Sequence, residues 1–255
     1  MRIYVCVKHV PDTAASIKPV GGAGFDEAAV KFVMNPYDEY AVEQAVRLVE
    51  SCGGEVVAVT VGQEAAAATL RAAMAMGAAR GILVAVDRQF LDSAATARAL
   101  AAAIARDGRP DLIFTGKGAV DTEGFQTAYR LAAELGLPVA SEVLKMELAE
   151  GRAVVEREIG GGAREVLEAP LPCVIGATKG LNEPRYPKFP DIMKAKKKEV
   201  RQLTLADLGL SAAGAAEIVA LEKVPERTGA RMIPGAPREA ARELVRILRE
   251  EEKVI

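Results

Sequence analysis

Short apolar runs alternate with helix-spaced segments over most of the chain. Ile3-Tyr-Val-Cys-Val7 has no polar interruption, the pattern of a central strand covered on both faces. Glu55 to Val61, Ile82 to Val86 and Asp111 to Thr115 repeat that pattern. Between them, apolar residues recur at helical spacing. Ala41, Ala45 and Leu48 mark a helix that opens at Asn35-Pro36 and stops near Gly53-Gly54. Asn35 suits the N-cap, Pro36 the first helical position, and Asp38 and Glu39 the positive end of the dipole. An alanine-rich helix closes at Gly77, a third runs from Ser93 to Ala105 behind Asp92 or Ser93 as cap, and a fourth covers Ala128 to Leu135. Strands alternating with helices predict right-handed crossovers and a doubly wound, mostly parallel α/β sheet.

The rhythm changes after Pro138. Leu144 to Leu148 and Ala153 to Arg157 flank Glu150-Gly151 and predict an antiparallel hairpin. With Glu165 to Leu167 and the run Cys173 to Ala177, it reads as an antiparallel extension of the sheet. Residues 14–33, bearing Gly21, Gly22 and Gly24, form an excursion, read as a small hairpin. Leu181 to Pro190 holds three prolines and is incompatible with a regular helix. Residues 179–201 carry eight basic residues against three acids, ordinarily a solvated charge run. The α/β domain is drawn over 1–200, and residues 201–255 as an extended C-terminal arm. That arm contains a β-like run, Glu217 to Leu221, and an amphipathic helix, Arg238 to Glu251, with Ala241, Leu244, Val245 and Leu248 on one face.

In parallel sheets ligands sit beyond the C-terminal strand ends, here Cys6 to Lys8, Val61-Gly62 and the segment 116–127. The last is the most informative: a buried strand, a glycine-bearing loop, then a helix. That order aims free backbone N–H groups and a positive dipole end at the space above the strand, where phosphate is the usual guest. The loop is neither a Walker A sequence nor GxGxxG, and so is weak evidence alone.

Composition narrows the classes. The formal net charge is −2, which argues against nucleic acid as a partner. No apolar run reaches the length of a membrane span. The chain enters a strand at once, and Cys6, Cys52 and Cys173 form no CxxC pair, so a reduced, cytoplasmic setting is expected. With His9 the one histidine, no Ser/His/Asp or Cys/His set assembles from motif, and no catalytic or metal-ligating residue is named.

Seven blocks, in order, resemble electron-transfer flavoprotein β subunits. They are Val5 to Asp12, Met34-Asn-Pro-Tyr-Asp-Glu39, Met74-Ala-Met-Gly-Ala78, Gly116-Lys-Gly-Ala-Val-Asp121 with Gln126-Thr127, Val155 to Ile159, Leu181-Asn-Glu-Pro-Arg-Tyr186, and Pro190 to Lys198. The resemblance implies a fold of the adenine-nucleotide α-hydrolase-like kind. It also implies an electron carrier rather than an enzyme, paired with an α subunit that holds most of a redox-active FAD. The pair would collect electrons from flavin dehydrogenases, such as acyl-CoA dehydrogenases of fatty acid oxidation, and pass them to a membrane quinone oxidoreductase without being membrane-embedded itself.

By matching motif, a structural AMP would touch Cys6, Asn35, Pro36, Tyr37, Asp38 and Val61. It would also touch the loop Gly116, Lys117, Gly118, Ala119, Val120, Asp121, Thr122, Glu123, Gly124, Phe125, Gln126 and Thr127. Backbone N–H groups from Asp121 to Thr127 would hold its phosphate, with Gln126 and Thr127 side chains adding hydrogen bonds and Asp121 orienting the loop. Partner docking would fall to Leu181, Asn182, Glu183, Pro184, Arg185 and Tyr186, with Phe189 as apolar anchor, and to Glu158 near the flavin domain. The arm would pack on the α subunit. Two alternatives stand beside this reading. In a bifurcating branch a second FAD replaces AMP; Val5 to Lys8, Pro11 to Thr13 and Asp87 to Phe90 lean that way, Leu181 to Lys198 the other. A stand-alone nucleotide-binding regulator of the universal-stress type would have no need of residues 180–255.

Overall fold

The computed structural model describes residues 1–255 except 212, 213, 215 and 226–228. Its elements, in chain order, are β1 (Arg2–Cys6), β2 (His9–Pro11), β3 (Phe32–Met34), α1 (Pro36–Cys52), β4 (Glu55–Gly62), α2 (Ala67–Met76), β5 (Arg80–Ala85), α3 (Ser93–Asp107) and β6 (Leu112–Gly116). They continue as α4 (Thr127–Leu135), β7 (Val139–Ala149), β8 (Arg152–Glu158), β9 (Arg164–Pro170), β10 (Val174–Ala177), α5 (Phe189–Ala195), β11 (Val200–Thr204) and α6 (Pro237–Arg246).

Nine strands join in one sheet among the described residues, in the order β11-β5-β4-β1-β6-β10-β7-β8-β9. Every pairing from β11 to β7 is parallel; β8 and β9 add an antiparallel end. The doubly wound α/β class is therefore observed. Alternation along each strand feeds two cores. Ile3, Val5, Val56, Ala58, Leu112 and Phe114 pack with α1 and α2, whereas Tyr4, Val57, Val59 and Ile113 pack with α3 and α4. Chain order runs outward from β1 to β4 and β5, then returns to β6 on the other side of β1. That reversal creates a switch point between β1 and β6, where open α/β sheets leave a crevice.

Two expectations need correcting and one is met on a smaller scale. The run 173–177 is no part of the antiparallel end: β10 lies between β6 and β7, parallel to both. All four of its residues are buried, the condition of an interior parallel strand. The segment 14–33 holds a hairpin of minimal size, an antiparallel bridge between Pro19 and Phe25 with Val20 N donating to Gly24 O and Asp26 N to Lys18 O, both at 3.0 Å. A second antiparallel pair joins β2 to β3, at whose start the segment ends. Finally, Glu217 to Leu221 forms no strand; its one backbone link described is Leu221 N to Gly22 O, 2.9 Å.

The chain divides into compact units at Leu221/Glu222. The first passes the boundary drawn at residue 200 because β11 completes the sheet beside β5. In the second, α6 runs on into a π-helical turn, Ile247–Glu251, and Arg246 pairs with Glu243, Glu250 and Glu251. Leu244 and Val245 are exposed there. Six residues of the arm drawn over 201–255 lie outside the described residues.

At the N-terminal strand ends Asp107 accepts both Arg80 Nη atoms at 2.7–2.8 Å and the Tyr4 hydroxyl at 2.8 Å. Burial works to raise its pKa, but these donors outweigh it and hold the carboxyl below its ordinary range. Its contribution to stability is therefore complete above about pH 4 and is lost as pH falls further. Asp107→Asn is expected to cost about 1.5–3 kcal/mol, the range for hydrogen bonds to charged groups. Urea unfolding at pH 7 should show that loss, and the gap between the two proteins should narrow below pH 4.

Candidate functional site: the loop after β6

Three segments meet at the switch point: the exit of β1, the start of α1 and the loop after β6. Asp38, in the first turn of α1, is 5 % exposed. Its carboxylate accepts from Lys8 N at 2.7 Å, from Asn35 Nδ2 at 2.9 Å and from Gly116 N at 3.0 Å. Asn35 is the N-cap residue, but its side chain does not cap the helix. It reaches across to the loop instead, donating to Gly118 O at 2.9 Å and accepting from Val120 N at 3.2 Å. The amide such a cap would serve, Asp38 N, donates to the Asn35 carbonyl at 2.9 Å instead, so the helix start tolerates this diversion.

Burial pushes the Asp38 carboxyl up to about 7, with the three donors acting against it. Cys6, buried beside it, has its thiol pushed up by burial and by the Asp38 charge, so it is no nucleophile at neutral pH. On the solvent side the Lys8 ammonium meets Asp121 at 2.8 Å, which ties the loop to the β1 exit. Lys117 lies 5.3 Å from the centre of the Tyr37 ring and 3.6 Å from Glu142. Glu142 has φ +61° and sits where the pairing of β7 shifts register against β10, next to its shift against β8 between Val143 and Lys145.

Two glycines let backbone approach where a side chain would not fit. A Cβ on Gly116 would stand 2.4 Å from Asp38 Oδ1 and 2.7 Å from Tyr37 Cβ. One on Gly118 would stand 2.5 Å from the Phe125 ring. Glu123 and Phe125 hold φ of +46° and +49° without being glycine, a local strain typical of functional loops. Glu123 N donates to Ala119 O at 2.9 Å and so is not free. The N–H groups of the first turn of α4, from Thr127, have no intrahelical partner by construction. Gln126 Oε1 accepts from Arg130 at 2.8 and 3.1 Å. Thr60 and Thr115, near the C-terminal ends of β4 and β6, carry buried hydroxyls with no partner among the described residues.

The predicted residues therefore fall into separate groups. Cys6, Asn35 to Asp38, Val61 and Gly116 to Thr127 lie on the adjacent strands β4, β1 and β6, on the turns that leave them, or on the α1 start that braces the loop. Glu158 ends β8, three strands from β6, and its register partner is Arg164. Leu181 to Tyr186 lie against the body of α1. There Asn182 Nδ2 donates to Tyr40 O at 3.0 Å and to Gln44 Oε1 at 3.2 Å. Arg185 reaches Glu43 at 2.8 Å and Glu50 at 2.6 Å, and Arg47 donates to Glu183 O at 3.0 Å. Tyr186 and Phe189 are 95 % and 74 % exposed.

Glu43 belongs to no motif, and Lys8 carries a sequence signal only as part of the β1 exit. Glu43 has only 2 % of its side chain exposed; burial works to raise its pKa, but hydrogen bonds from Arg185 and Arg47 hold it below the usual range. The sequence carries one signal for it, an acid between Val42 and Ala45 on the apolar stripe of α1. Lys198 also departs from a solvated charge run: its Nζ donates to Met74 O at 2.9 Å and Ala78 O at 2.7 Å, at the C-terminus of α2.

The family model "Electron transfer flavoprotein domain" matches residues 23–208. Electron transfer flavoprotein subunit beta of Bacillus subtilis is 38% identical over 260 residues, covering 100% of both chains. That of Sus scrofa is 40% identical over 256 residues, covering 98% of this chain and 97% of its own. The chain belongs to the electron transfer flavoprotein β-subunit family. The mitochondrial subunit of Arabidopsis thaliana, 39% identical over 238 residues, covers 91% of this chain and 93% of its own. Matches of such length carry the family reading across the switch-point loop and the 181–198 segment together. They bear out the role of electron transfer flavoprotein β subunit. No helix among the described residues is long and apolar enough to cross a membrane.

The buried carboxyl gives a pH signature with a defined sign. Folded protein retains the Asp38 proton up to about pH 7, whereas an unfolded aspartate releases it near pH 4. Between those limits the folded state binds more protons, so this group makes stability fall as pH rises from about 4 to 7, levelling above. Asp38→Asn removes that slope. Unfolding free energies of both proteins across the range should therefore differ by a pH-dependent amount; a constant difference contradicts the protonated carboxyl.

Proposed function

We propose that this chain is the β subunit of a heterodimeric electron transfer flavoprotein. In this reading it binds a structural AMP at the loop after β6, docks flavin dehydrogenases through residues 181–189, and delivers electrons to a membrane quinone oxidoreductase. FAD, held mainly by the α subunit, supplies the electron-carrying chemistry. The observation that carries the AMP assignment is the knot at Asp38, which fixes a glycine-bearing loop above the switch point.

The residues fit a nucleotide. Free N–H groups at the start of α4 suit a phosphate. Gly116 and Gly118 permit close backbone approach, and the unpartnered Thr60 and Thr115 hydroxyls lie near the same strand ends. Asp121 neutralises Lys8 and braces the loop rather than meeting the anion. On the opposite flank Phe189 is the exposed apolar anchor, ringed by polar groups in the manner of an exchangeable hot spot. The arm after Leu221 would pack on the α subunit, a role the exposed Leu244 and Val245 suit.

Co-expression with the α subunit, denaturation and quantification of released nucleotides test this. One AMP and one FAD per heterodimer are expected. Two FAD and no AMP would instead place the protein in the bifurcating branch. Gly116→Ala, whose Cβ would crowd Asp38 and Tyr37, should lose AMP while keeping FAD. Parallel loss of both would show that the loop serves the whole complex rather than the nucleotide.

A further inference from the structure

α5 presents an apolar row outward. Phe189, Ile192 and Met193 follow i, i+3, i+4 spacing and are 74 %, 41 % and 43 % exposed. Lys196 and Lys197 continue the spacing at i+7 and i+8 and are exposed. The opposite side of α5 is fixed. Ala195 is buried, Arg71 Nη1 donates to Ala195 O at 2.8 Å and also to Lys198 O, and Lys198 binds the carbonyls at the end of α2. The row is thus held away from the core by α2, not left there by a loose segment.

The charges around it are mainly basic, with exposed Glu183 and Glu199 and half-exposed Asp191 as the acids of the segment. Lys188, Lys196 and Lys197 are exposed and have no ion-pair partner among the described residues, and Lys194 meets Asp191 only at 3.7 Å. The protein as a whole carries −2, so net charge offers no attraction to an anionic surface. A cationic field exists only locally, around the exposed aromatic and aliphatic side chains. A protein pocket usually takes one anchor inside a ring of polar contacts. Here several apolar side chains share a row with lysines, the arrangement of helices lying in a lipid interface, where long lysine stems reach outward to head groups.

We infer that the face formed by Tyr186, Phe189, Ile192, Met193, Lys196 and Lys197 binds reversibly to anionic lipid surfaces. This goes beyond dehydrogenase docking and shares its surface, so the two engagements exclude each other. A carrier that releases its donor would then present the same face to the bilayer. The contact is peripheral: three apolar side chains and a few lysines give weak, salt-sensitive binding.

The test uses the purified heterodimer and co-sedimentation with phosphatidylcholine vesicles, with and without phosphatidylglycerol. Binding is expected only with the anionic lipid and should fall as salt rises. Each lysine near such a surface contributes about fivefold to partitioning, so Lys196→Glu with Lys197→Glu should abolish it. Phe189→Ser with Ile192→Ser should weaken it at every salt concentration. Unchanged flavin and nucleotide content in these variants shows that the fold and nucleotide site survive. Equal binding to neutral vesicles, no binding to either, or insensitivity to the lysine changes overturns the inference. Dehydrogenase-coupled flavin reduction separates the two readings. Loss of coupling on Phe189→Ser alone, without any vesicle binding by the parent protein, would make this face a protein-docking surface only.

Discussion

Asp38 is a carboxyl group with almost no access to water, and three segments distant in sequence donate hydrogen bonds to it. Lys8 belongs to the exit of β1, Asn35 to the start of α1 and Gly116 to the end of β6. An unpaired polar group at that depth would cost several kcal/mol, so the three segments are constrained together. The loop inherits its position from this knot, and Gly116 must remain without a side chain to leave room for it. Asn35 extends the same restraint to Gly118 and Val120.

The same helix carries a second restraint about one and a half turns further on. Glu43 is as deeply buried as Asp38 and stays below the usual carboxylate range because Arg185 and Arg47 surround it. One acid is thus pushed up and held by neutral donors, while the other is held down by cations. Both make α1 a rigid spine with the switch-point loop at its start and the 181–186 segment along its body. Asp107 resembles Glu43 in this respect, its charge secured by Arg80 where the strands begin.

What lay legible in the chain follows from how local each property is. The alternation of strands and helices showed because periods of two and 3.6 residues are written in short windows. Helix ends at Gly53 and Gly77 showed because exits with positive φ favour glycine. The position of Val174 to Ala177 did not, since a four-residue apolar run says nothing about its neighbours. Nor did the antiparallel pairing of β2 with β3 across twenty intervening residues. The 116–127 loop lies beside the switch point, which only the strand order reveals, and the sequence does not say which backbone groups there remain free.

By itself the sequence determined the α/β class, the glycines at the turns and the family to which the chain belongs, because motif, period and backbone permissiveness are properties of neighbours in the chain. Only the tertiary structure decided that Asn35 holds a loop instead of capping its own helix, that Asp38 and Glu43 are buried with opposite pKa displacements, and that Lys198 belongs to α2. Hydrogen bonding and burial join residues far apart in sequence, and a carboxylate's charge depends on what surrounds it rather than on what precedes it.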